Sequence, residues 1–327
     1  MRKGFIASLL AGAAVVGALA ATPLGPAKAA ELPCSTAKLI VPWSPGGGTD
    51  VVFRIIAEAA NKAGAEPQLQ VVNISGQGGN KGAKEAVKAK PDGCTLFAIH
   101  QSAMTSYFTG RVDFSFEAFE PVALLTRTPP IIGAHPDVPF NNVKDLVAAA
   151  KASPGTILTG ATLGSTSHFW SLLLEDAADI KLKYVPYDGT RQRMTALLAK
   201  NIDLGEINLA ATVKYIENND LKALGIFTPE REPQIPDVPT LKEQGIDLVG
   251  GTDRGIVAPK GTPKAVVAQW GEVLQKAVQD PQVVASLAKK GTSIIYKAGD
   301  EYRKYIDETF AKWKEVAQKV GVYKRTD

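Results

Sequence analysis

The sequence predicts an α/β protein built from two doubly wound lobes that are joined by two crossing segments. Short apolar strand patterns alternate with amphipathic helical patterns along the chain. This alternation occurs in two separate blocks, with apolar segments leading from one block to the other. The chain of 327 residues is also longer than a chain that usually folds around a single hydrophobic core.

The first block has the βαβαβ pattern of a doubly wound half. Its predicted elements are a strand over Lys38–Val41, a helix with an apolar face from Val51 to Ala60, a strand over Gln68–Val72, a short helix around Ala83–Val87 and a strand over Thr95–Ile99. In a 2-1-3 strand order, the loops after the first two strands open at the same edge of the sheet. Apolar segments over Pro121–Leu125 and Pro130–Ala134 then lead away from this block.

The second block repeats the alternation. Its predicted elements are a helix from Asn142 or Val143 to Lys151, a strand over Ile157–Thr159, a helix from Ser167 onward, a strand over Lys183–Pro186, a helix over Met194–Ala199 and strands over Ile202–Leu204 and Ala223–Phe227. A strand over Gly255–Ala258 is expected to return to the first lobe.

Two long amphipathic helices close the chain. One carries Val266, Trp270 and Leu274, and the other carries an aromatic stripe from Tyr302 to Trp313. We expect this stripe to pack against the first lobe. The predicted lobes are residues 30–127 with 254–327, and residues 128–253. Leu125–Ile132 and Gly250–Ile256 are the expected crossings, about which a ligand would close the lobes.

The N-terminus has the pattern of a cleaved secretory leader. Arg2 and Lys3 precede an apolar run over Phe5–Ala21, and Ala27-Lys28-Ala29 fits the small-x-small cleavage rule. The leader would then be residues 1–29, with a mature N-terminus at Ala30 and a periplasmic location. A membrane anchor is the alternative, but the run is rich in Ala and Gly and helix-breaking prolines follow it.

The charge balance argues against a nucleic-acid partner. Lys and Arg number 37 and Asp and Glu 33, and three of the basic residues belong to the predicted leader, which leaves a mature charge of +1. The sequence has no basic run interleaved with aromatic residues. After residue 30, no apolar stretch is long enough to span a bilayer.

The two cysteines, Cys34 and Cys94, each lie just before a predicted strand. If those strands are parallel neighbours, both thiols lie at the same edge of the sheet, and an exported protein would be expected to join them. Two free thiols are the alternative. The three histidines at 100, 135 and 168 have no metal-ligand spacing, and we expect neither a metal nor a cofactor.

The most informative segment is residues 39–50, where an apolar strand runs into Gly46-Gly47-Gly48 and then into a helix. Free N–H groups and the positive end of the helix dipole would meet there and bind an anion. The loop lacks the Lys of a phosphate-binding P-loop. Asp50 would repel an anion, so we expect it to hold the loop by hydrogen bonds.

Two further loops have the same strand-to-helix character. Residues 73–80 form a second glycine-rich loop in the first lobe, and residues 160–168 form a hydroxyl-rich loop in the second. Ser165 or Thr166 could simply cap the following helix. A secreted hydrolase using Ser165 or Ser167 with His168 is a rival, although the sequence has no Gly-x-Ser-x-Gly elbow. An exported protein with two lobes that close on a ligand like a clamshell is typical of the solute-binding proteins.

With these residues assembled, the chain resembles the Bug family, the periplasmic substrate-binding proteins of tripartite tricarboxylate transporters. The resemblance covers about residues 37–320 and rests on six blocks in the family's order. The blocks are Val-Pro-Trp-Ser-Pro-Gly-Gly-Gly-Thr-Asp (41–50), Val-Asn-Ile-Ser-Gly-Gln-Gly-Gly-Asn-Lys-Gly (72–82), Pro-Asp-Gly-Cys-Thr-Leu (91–96), Val-Pro-Tyr-Asp-Gly (185–189), Pro-Asp-Val-Pro-Thr-Leu (236–241) and Val-Ala-Pro-Lys-Gly-Thr-Pro (257–263).

The resemblance implies a type II periplasmic binding protein fold that grips a small di- or tricarboxylate. By matched position, it implies that the ligand contacts are Trp43, Ser44, Gly47, Gly48, Thr49, Ser165, Thr166, Ser167 and His168. It further implies a monomer that partners the membrane components of the transporter. A sensor that reports the ligand to a membrane kinase is an alternative within the same fold.

Two features depart from the family pattern or lie outside it. The segment at 202–208 reads Ile-Asp-Leu-Gly-Glu-Ile-Asn where many members have Val-Asp-x-Met-Phe-Asp, so ligand contacts from this strand stay open. Arg254 lies at the second crossing and could pair with the distal carboxylate of a ligand. A solvated charge at the hinge is the alternative for Arg254.

Overall fold

The computed structural model describes Met1 and residues 31–326. The predicted leader after Met1 and the predicted mature N-terminus at Ala30 lie outside the described residues and stay predictions.

The described chain alternates strands and helices as the sequence patterns indicate. The strands are β1 (Thr36–Val41), β2 (Gln68–Asn73), β3 (Thr95–Ile99), β4 (Phe119–Thr128), β5 (Pro130–Ala134), β6 (Leu158–Ala161), β7 (Lys183–Pro186), β8 (Leu204–Asn208), β9 (Lys222–Ile226), β10 (Thr252–Pro259) and β11 (Ser293–Ala298). The helices are α1 (Gly48–Lys62), α2 (Asn80–Lys88), α3 (Ser102–Phe108), α4 (Val143–Ala152), α5 (Thr166–Ala178), α6 (Thr190–Leu198), α7 (Leu209–Glu217), α8 (Lys264–Gln279), α9 (Pro281–Ala288) and α10 (Gly299–Lys319).

The first sheet has six strands in the order β11-β4-β10-β3-β1-β2. β1 is parallel to both β2 and β3, so the predicted 2-1-3 order is confirmed. β10 returns antiparallel between β3 and β4, as expected of a strand that re-enters the first lobe. The loop after β1 therefore opens at the carboxyl edge of the sheet, which is where doubly wound folds place their ligands.

The second sheet has five strands in the order β7-β6-β8-β5-β9. β6 is parallel to β7 and β8, whereas β5 pairs antiparallel with β8 and β9. The loop after β6 leads into α5 at the carboxyl end of its strand, as the loop after β1 leads into α1. Each sheet thus contributes a loop and a helix N-terminus to its ligand-facing edge.

Two strand connections join the sheets. β4 of the first sheet continues into β5 of the second through Pro129, and residues 227–251 lead from β9 back to β10. The two strands at this junction are held together by Arg127 and Asp253, whose Nη2 and Oδ2 atoms are 2.7 Å apart. Tyr305 of α10 also donates a hydrogen bond to Asp253.

The C-terminal helix α10 is a third link between the lobes. Phe310 packs edge-on against Phe108 of the first lobe at 4.8 Å between ring centroids. Trp313, three residues later, contacts Phe169 and Trp170 of α5 at 5.6 and 5.4 Å. The expectation that the aromatic stripe packs on the first lobe alone is therefore wrong for Trp313. A helix of 21 residues is long enough to reach both lobes.

Four elements lie outside the predicted pattern. α3, α7, α9 and β11 were not expected from the sequence, and β8 begins two residues after the predicted start at Ile202. Helices of seven to nine residues hold too few turns for a clear apolar period. β11 is an edge strand with mostly half-buried side chains, so its sequence does not alternate cleanly.

Cys34 and Cys94 are joined by a disulfide in the structure. The bond ties the segment before β1 to the start of the parallel neighbour β3, as the sequence predicted. Among the described residues, no helix is long and apolar enough to cross a membrane.

Candidate functional site

A cavity of about 40 Å³ lies between the carboxyl edges of the two sheets. A cavity needs roughly 10–15 Å³ to admit one water molecule, so this one has room for more than a single water. Nine of the ten residues that we expected to contact the ligand line this cavity. They are Trp43, Ser44, Gly47, Gly48, Thr49, Ser165, Thr166, Ser167 and Arg254.

The first wall of the cavity is the N-terminus of α1. Gly47 occupies the N-cap position, and no side chain caps the helix there. The N–H groups of Gly48 and Thr49, in the first turn, have no acceptor among the described residues. These two amides and the helix dipole can therefore hold an anionic oxygen.

Asp50 holds this loop in shape, as the sequence predicted. Its Oδ2 atom accepts from the Gly46 amide at 2.8 Å, and its Oδ1 atom accepts from Asn73 Nδ2, also at 2.8 Å. The Asn73 amide also donates to the Trp43 carbonyl at 2.9 Å. Asn73 begins the second glycine-rich loop, so that loop supports the first one.

Trp43 and His100 form a stacked pair in the wall, with ring centroids 5.4 Å apart. His100 Nδ1 accepts from the Ser102 amide at 3.2 Å, which leaves the proton on Nε2 as a neutral donor. Burial lowers the pKa of His100 to about 3, with a smaller contribution from the charge of Arg254. The indole Nε1 of Trp43 is buried and has no hydrogen-bond partner among the described residues.

The opposite wall is the N-terminus of α5. Ser165 stands at the N-cap position, but its side chain does not cap the backbone. Instead, Ser165 Oγ lies 3.2 Å from Ser167 Oγ, which accepts from the Thr162 amide at 3.0 Å. The simple capping role considered for Ser165 is therefore not what this side chain does. The two helix N-termini face one another across the cavity and favour an anion between them.

Arg254 is the buried cation of the cavity, with 2% of its surface exposed. Its Nε donates to Thr49 Oγ1 at 3.1 Å and its Nη1 to Thr128 Oγ1 at 2.7 Å. Burial lowers its pKa to about 10, so the guanidinium stays charged at neutral pH. The sequence left open whether Arg254 pairs with a distal carboxylate or is a solvated charge at the hinge. Its burial contradicts the second alternative, and its bond to Thr49 puts it beside the first helix N-terminus.

The carboxylates that act electrostatically on Arg254 are committed to other partners. Glu206 pairs with Arg193 at 2.8 Å, and Asp253 pairs with Arg127. Nη2 of Arg254 has no hydrogen bond to a described residue, so it can donate to a ligand carboxylate without breaking an existing ion pair.

Arg193 and Glu206 form a buried ion pair that shapes the second lobe's side of the cavity. Arg193 donates to the Glu206 carbonyl at 2.7 Å, to Thr162 Oγ1 at 2.9 Å and to Glu206 Oε2 at 2.8 Å. Burial raises the pKa of Glu206, against the opposing effect of the two arginine charges. The segment 202–208, whose ligand contacts the sequence left undecided, thus contributes a charged side chain to the cavity wall.

The lobes touch around the mouth of the cavity. The Gly78 amide of the first lobe donates to Asp188 Oδ1 of the second at 2.5 Å. Arg111 donates to the Leu163 carbonyl across the cleft and to the Gln77 carbonyl at 2.7 Å on its own side. These contacts make the structure a closed form, with the cavity enclosed between the lobes.

His168 is the one predicted contact that does not line the cavity. It lies in a neighbouring cleft with Arg111, where its Nδ1 accepts from the Gly164 amide at 3.3 Å. Its ring packs edge-on against Tyr184, and burial lowers its pKa to about 4. Ser165 and Ser167 bond to each other and not to His168, so the residues of the hydrolase hypothesis are not arranged as a nucleophile and its base.

Sequence reasoning missed several residues of the cavity wall. They include His100, Thr162, Arg193, Glu206, Asn208 and Thr252. His100 directly follows β3, a strand that the sequence predicted, so its place at the carboxyl end of that strand could have identified it. The register of β8 and the N-terminal extent of α6 were not predicted, so Glu206 and Arg193 carried no local signal. Within residues 31–326, no cluster of three His, Cys, Asp or Glu side chains could hold a metal.

The chain is similar in sequence to a known protein family over most of its length. A family model described as the tripartite tricarboxylate transporter family receptor matches residues 52–322. A relative named as a UPF0065 protein in the gbd 5′ region of Cupriavidus necator is 30% identical over 334 residues, which covers 99% of each chain.

Two solved structures share the fold over nearly their full length. The periplasmic binding protein BugD has a TM-score of 0.83 and 29% identity, covering 89% of this chain and 99% of its own. MatC from Rhodopseudomonas palustris with bound malate has a TM-score of 0.79 and 26% identity, covering 86% of this chain and 98% of its own.

Proposed function

The chain belongs to the receptor family of tripartite tricarboxylate transporters, and from this membership we propose that it is an exported protein that binds a small carboxylate in the periplasm. The bound acid would be passed to the membrane components of such a transporter. The family and the fold are those of substrate-binding proteins.

The observation that carries the proposal is the placement of Arg254 beside the open N-terminus of α1. A buried guanidinium whose neighbouring carboxylates are already paired supplies the charge for one ligand carboxylate. The Gly48 and Thr49 amides add directional donors to the same place. Arg254 thus adds a charge that the glycine loop, which contains no Lys or Arg, does not supply.

Binding requires no covalent step, only closure of the two lobes on the ligand. The α1 side would hold the carboxylate, and the hydroxyls and amides at the N-terminus of α5 would contact the ligand from the other lobe. A hydrogen bond to a charged group contributes about 1.5–3 kcal/mol. Three or four such bonds, less the cost of ordering and closure, would give micromolar or tighter affinity.

The related structure with bound malate supports a small dicarboxylate as a candidate ligand. A C4–C6 dicarboxylate or a citrate-like acid also fits the small di- or tricarboxylate that the family resemblance implies. The small volume of the closed cavity favours the shorter of these acids.

Calorimetry on purified protein with mono-, di- and tricarboxylates tests carboxylate binding, with amino acids and sugars as comparators. Arg254→Met should weaken the tightest-binding acid at least about tenfold, since it removes charged hydrogen bonds from a buried carboxylate. Arg231→Met is the matched control, because Arg231 is exposed and pairs with Glu243 on the surface. Equal affinity of Arg254→Met and the unchanged protein would contradict the proposal.

Delivery to a transporter needs a separate experiment in the source cells. Deletion of the gene should abolish high-affinity uptake of the radiolabelled acid, and re-expression should restore it. Unchanged uptake together with a lost transcriptional response to the acid would instead favour the sensor alternative.

A further inference from the structure

We propose that Glu206 selects carboxylates that carry a hydrogen-bond donor, a hydroxyl or an ammonium group, over plain carboxylates of the same length. This inference rests on the proposed function and names the class of ligand within it. It concerns the strand at 202–208, which departs from the family pattern at this residue.

Glu206 presents an acceptor to the cavity. Its side chain lines the cavity and is 8% exposed, and Oε2 is occupied by Arg193 Nη2 at 2.8 Å. Oε1 has no hydrogen bond to any described residue. Because Glu206 lines the cavity, a ligand that donates to the free Oε1 atom gains a charged hydrogen bond that a plain carboxylate cannot form.

Arg193 fixes this carboxylate in place. Its donors are spread over the Glu206 carbonyl, the Glu206 carboxylate and the hydroxyls of Thr162 and Thr190. The guanidinium therefore has little capacity left for a ligand carboxylate, and Glu206 cannot turn away without breaking the pair. Arg254 is left as the cation for the ligand, with Glu206 as the acceptor beyond it.

The charge balance of the cavity favours the ammonium-bearing members of this class. Three arginines and two carboxylates line the cavity and His100 is neutral, so the lining carries a net charge of +1. Arg193 and Glu206 are paired with each other, and Arg254 is buried without a carboxylate of its own. A plain dicarboxylate would bring a second negative charge into a cavity that already contains Glu206, whereas an acidic amino acid brings a net charge of −1.

Matched pairs of acids measure the selection directly. Aspartate against succinate adds an ammonium group, whereas malate against succinate and lactate against propionate each add a hydroxyl. The donor-bearing acid of each pair should bind at least about tenfold more tightly by calorimetry, with the largest ratio for aspartate, and the pairs separate the two donors. Succinate binding as tightly as both aspartate and malate would overturn the inference and leave carboxylate binding intact.

Glu206→Gln tests the residue itself. Arg193 needs an acceptor, so the glutamine oxygen should face Arg193 and its NH₂ group should face the ligand. The aspartate-to-succinate ratio should fall to about one or below, and hydroxy acids should lose less because a hydroxyl can also accept. Glu243→Gln, on the exposed surface pair with Arg231, should leave every ratio unchanged.

The outcomes separate this inference from the proposed function. If no carboxylate binds the unchanged protein, the proposed function fails and the inference fails with it. If Glu206→Gln is folded and keeps the ratios of the unchanged protein, Glu206 is not the selecting residue. If the variant does not fold, the matched pairs on the unchanged protein still decide whether a donor is selected.

Discussion

Gly48 lies at a tight contact between the two lobes, and a single methyl group there should hold the cleft open. A Cβ atom built on Gly48 would lie 2.3 Å from Asn208 Oδ1, 2.6 Å from its Cγ and 2.9 Å from its Cβ. Gly48 is on α1 of the first lobe and Asn208 ends β8 of the second. The Gly48→Ala clash is therefore between the lobes, and it exists only when they are closed.

The cost can be worked out from these contacts. Restoring ordinary contact would move the lobes apart by about 1 Å, beyond the reach of the hydrogen bonds at the mouth. If Asn208 turns away instead, it gives up its bond to the Ala210 amide, a helix cap at 3.2 Å worth about 1 kcal/mol. Either route weakens the closed form by at least about 1 kcal/mol, or about fivefold in ligand affinity.

Calorimetry with the tightest-binding acid and small-angle scattering should report the change together. Gly48→Ala should bind at least about fivefold more weakly and keep a larger radius of gyration at equal ligand concentration. The substitution should not destabilise α1 itself in the ligand-free protein, since alanine favours a helix over glycine by up to about 1 kcal/mol.

Two variants make the reasoning refutable. Gly47→Ala is the control in the same loop, because the nearest atom to its Cβ is the Ser44 carbonyl at 3.3 Å, within the same lobe. Asn208→Gly removes all three clashing atoms at a cost of a few tenths of a kcal/mol to the helix cap. The Gly48→Ala/Asn208→Gly double variant should recover affinity. Normal affinity and radius in Gly48→Ala alone would refute the account of the closed state.

Three further predictions concern closure, acid stability and export. Arg111→Ala removes the side chain that donates across the cleft to the Leu163 carbonyl, so ligand dissociation in stopped flow should quicken several-fold with little change in association; an unchanged dissociation rate would contradict the role in closure. Burial lowers the pKa of His100 from the ordinary 6.5 to about 3 in the folded state, so between these values the unfolded chain binds the proton more readily. The free energy of unfolding should therefore fall as pH drops from 6.5 towards 3. His100→Gln should flatten that decline in urea titrations, and an equal slope would contradict the prediction. Intact-mass analysis of exported protein should show loss of residues 1–29 and two hydrogens, whereas two alkylatable thiols without reductant would rule out the Cys34–Cys94 bond.

The sequence by itself determined the features that depend on local order along the chain. The strand into Gly46-Gly47-Gly48 and then a helix specifies an open helix N-terminus, because glycine permits the turn and leaves the first amides bare. The supporting role of Asp50 also followed from the sequence, because its carboxylate would repel an anion bound at the loop. The periodicity of apolar residues predicted most of the helices and strands. The position of both cysteines just before neighbouring parallel strands predicted the disulfide.

Only the tertiary structure decided which charged groups meet inside the cleft. Arg254, Arg193 and Glu206 come from three separate elements, and their pairing depends on how far each strand runs and on the angle between the lobes. His168 was expected in the cavity but lies in the neighbouring cleft, where its ring packs against Tyr184 and its Nδ1 atom accepts from the Gly164 amide. Side-chain contacts across a cleft are long-range in sequence, so no local pattern encodes them.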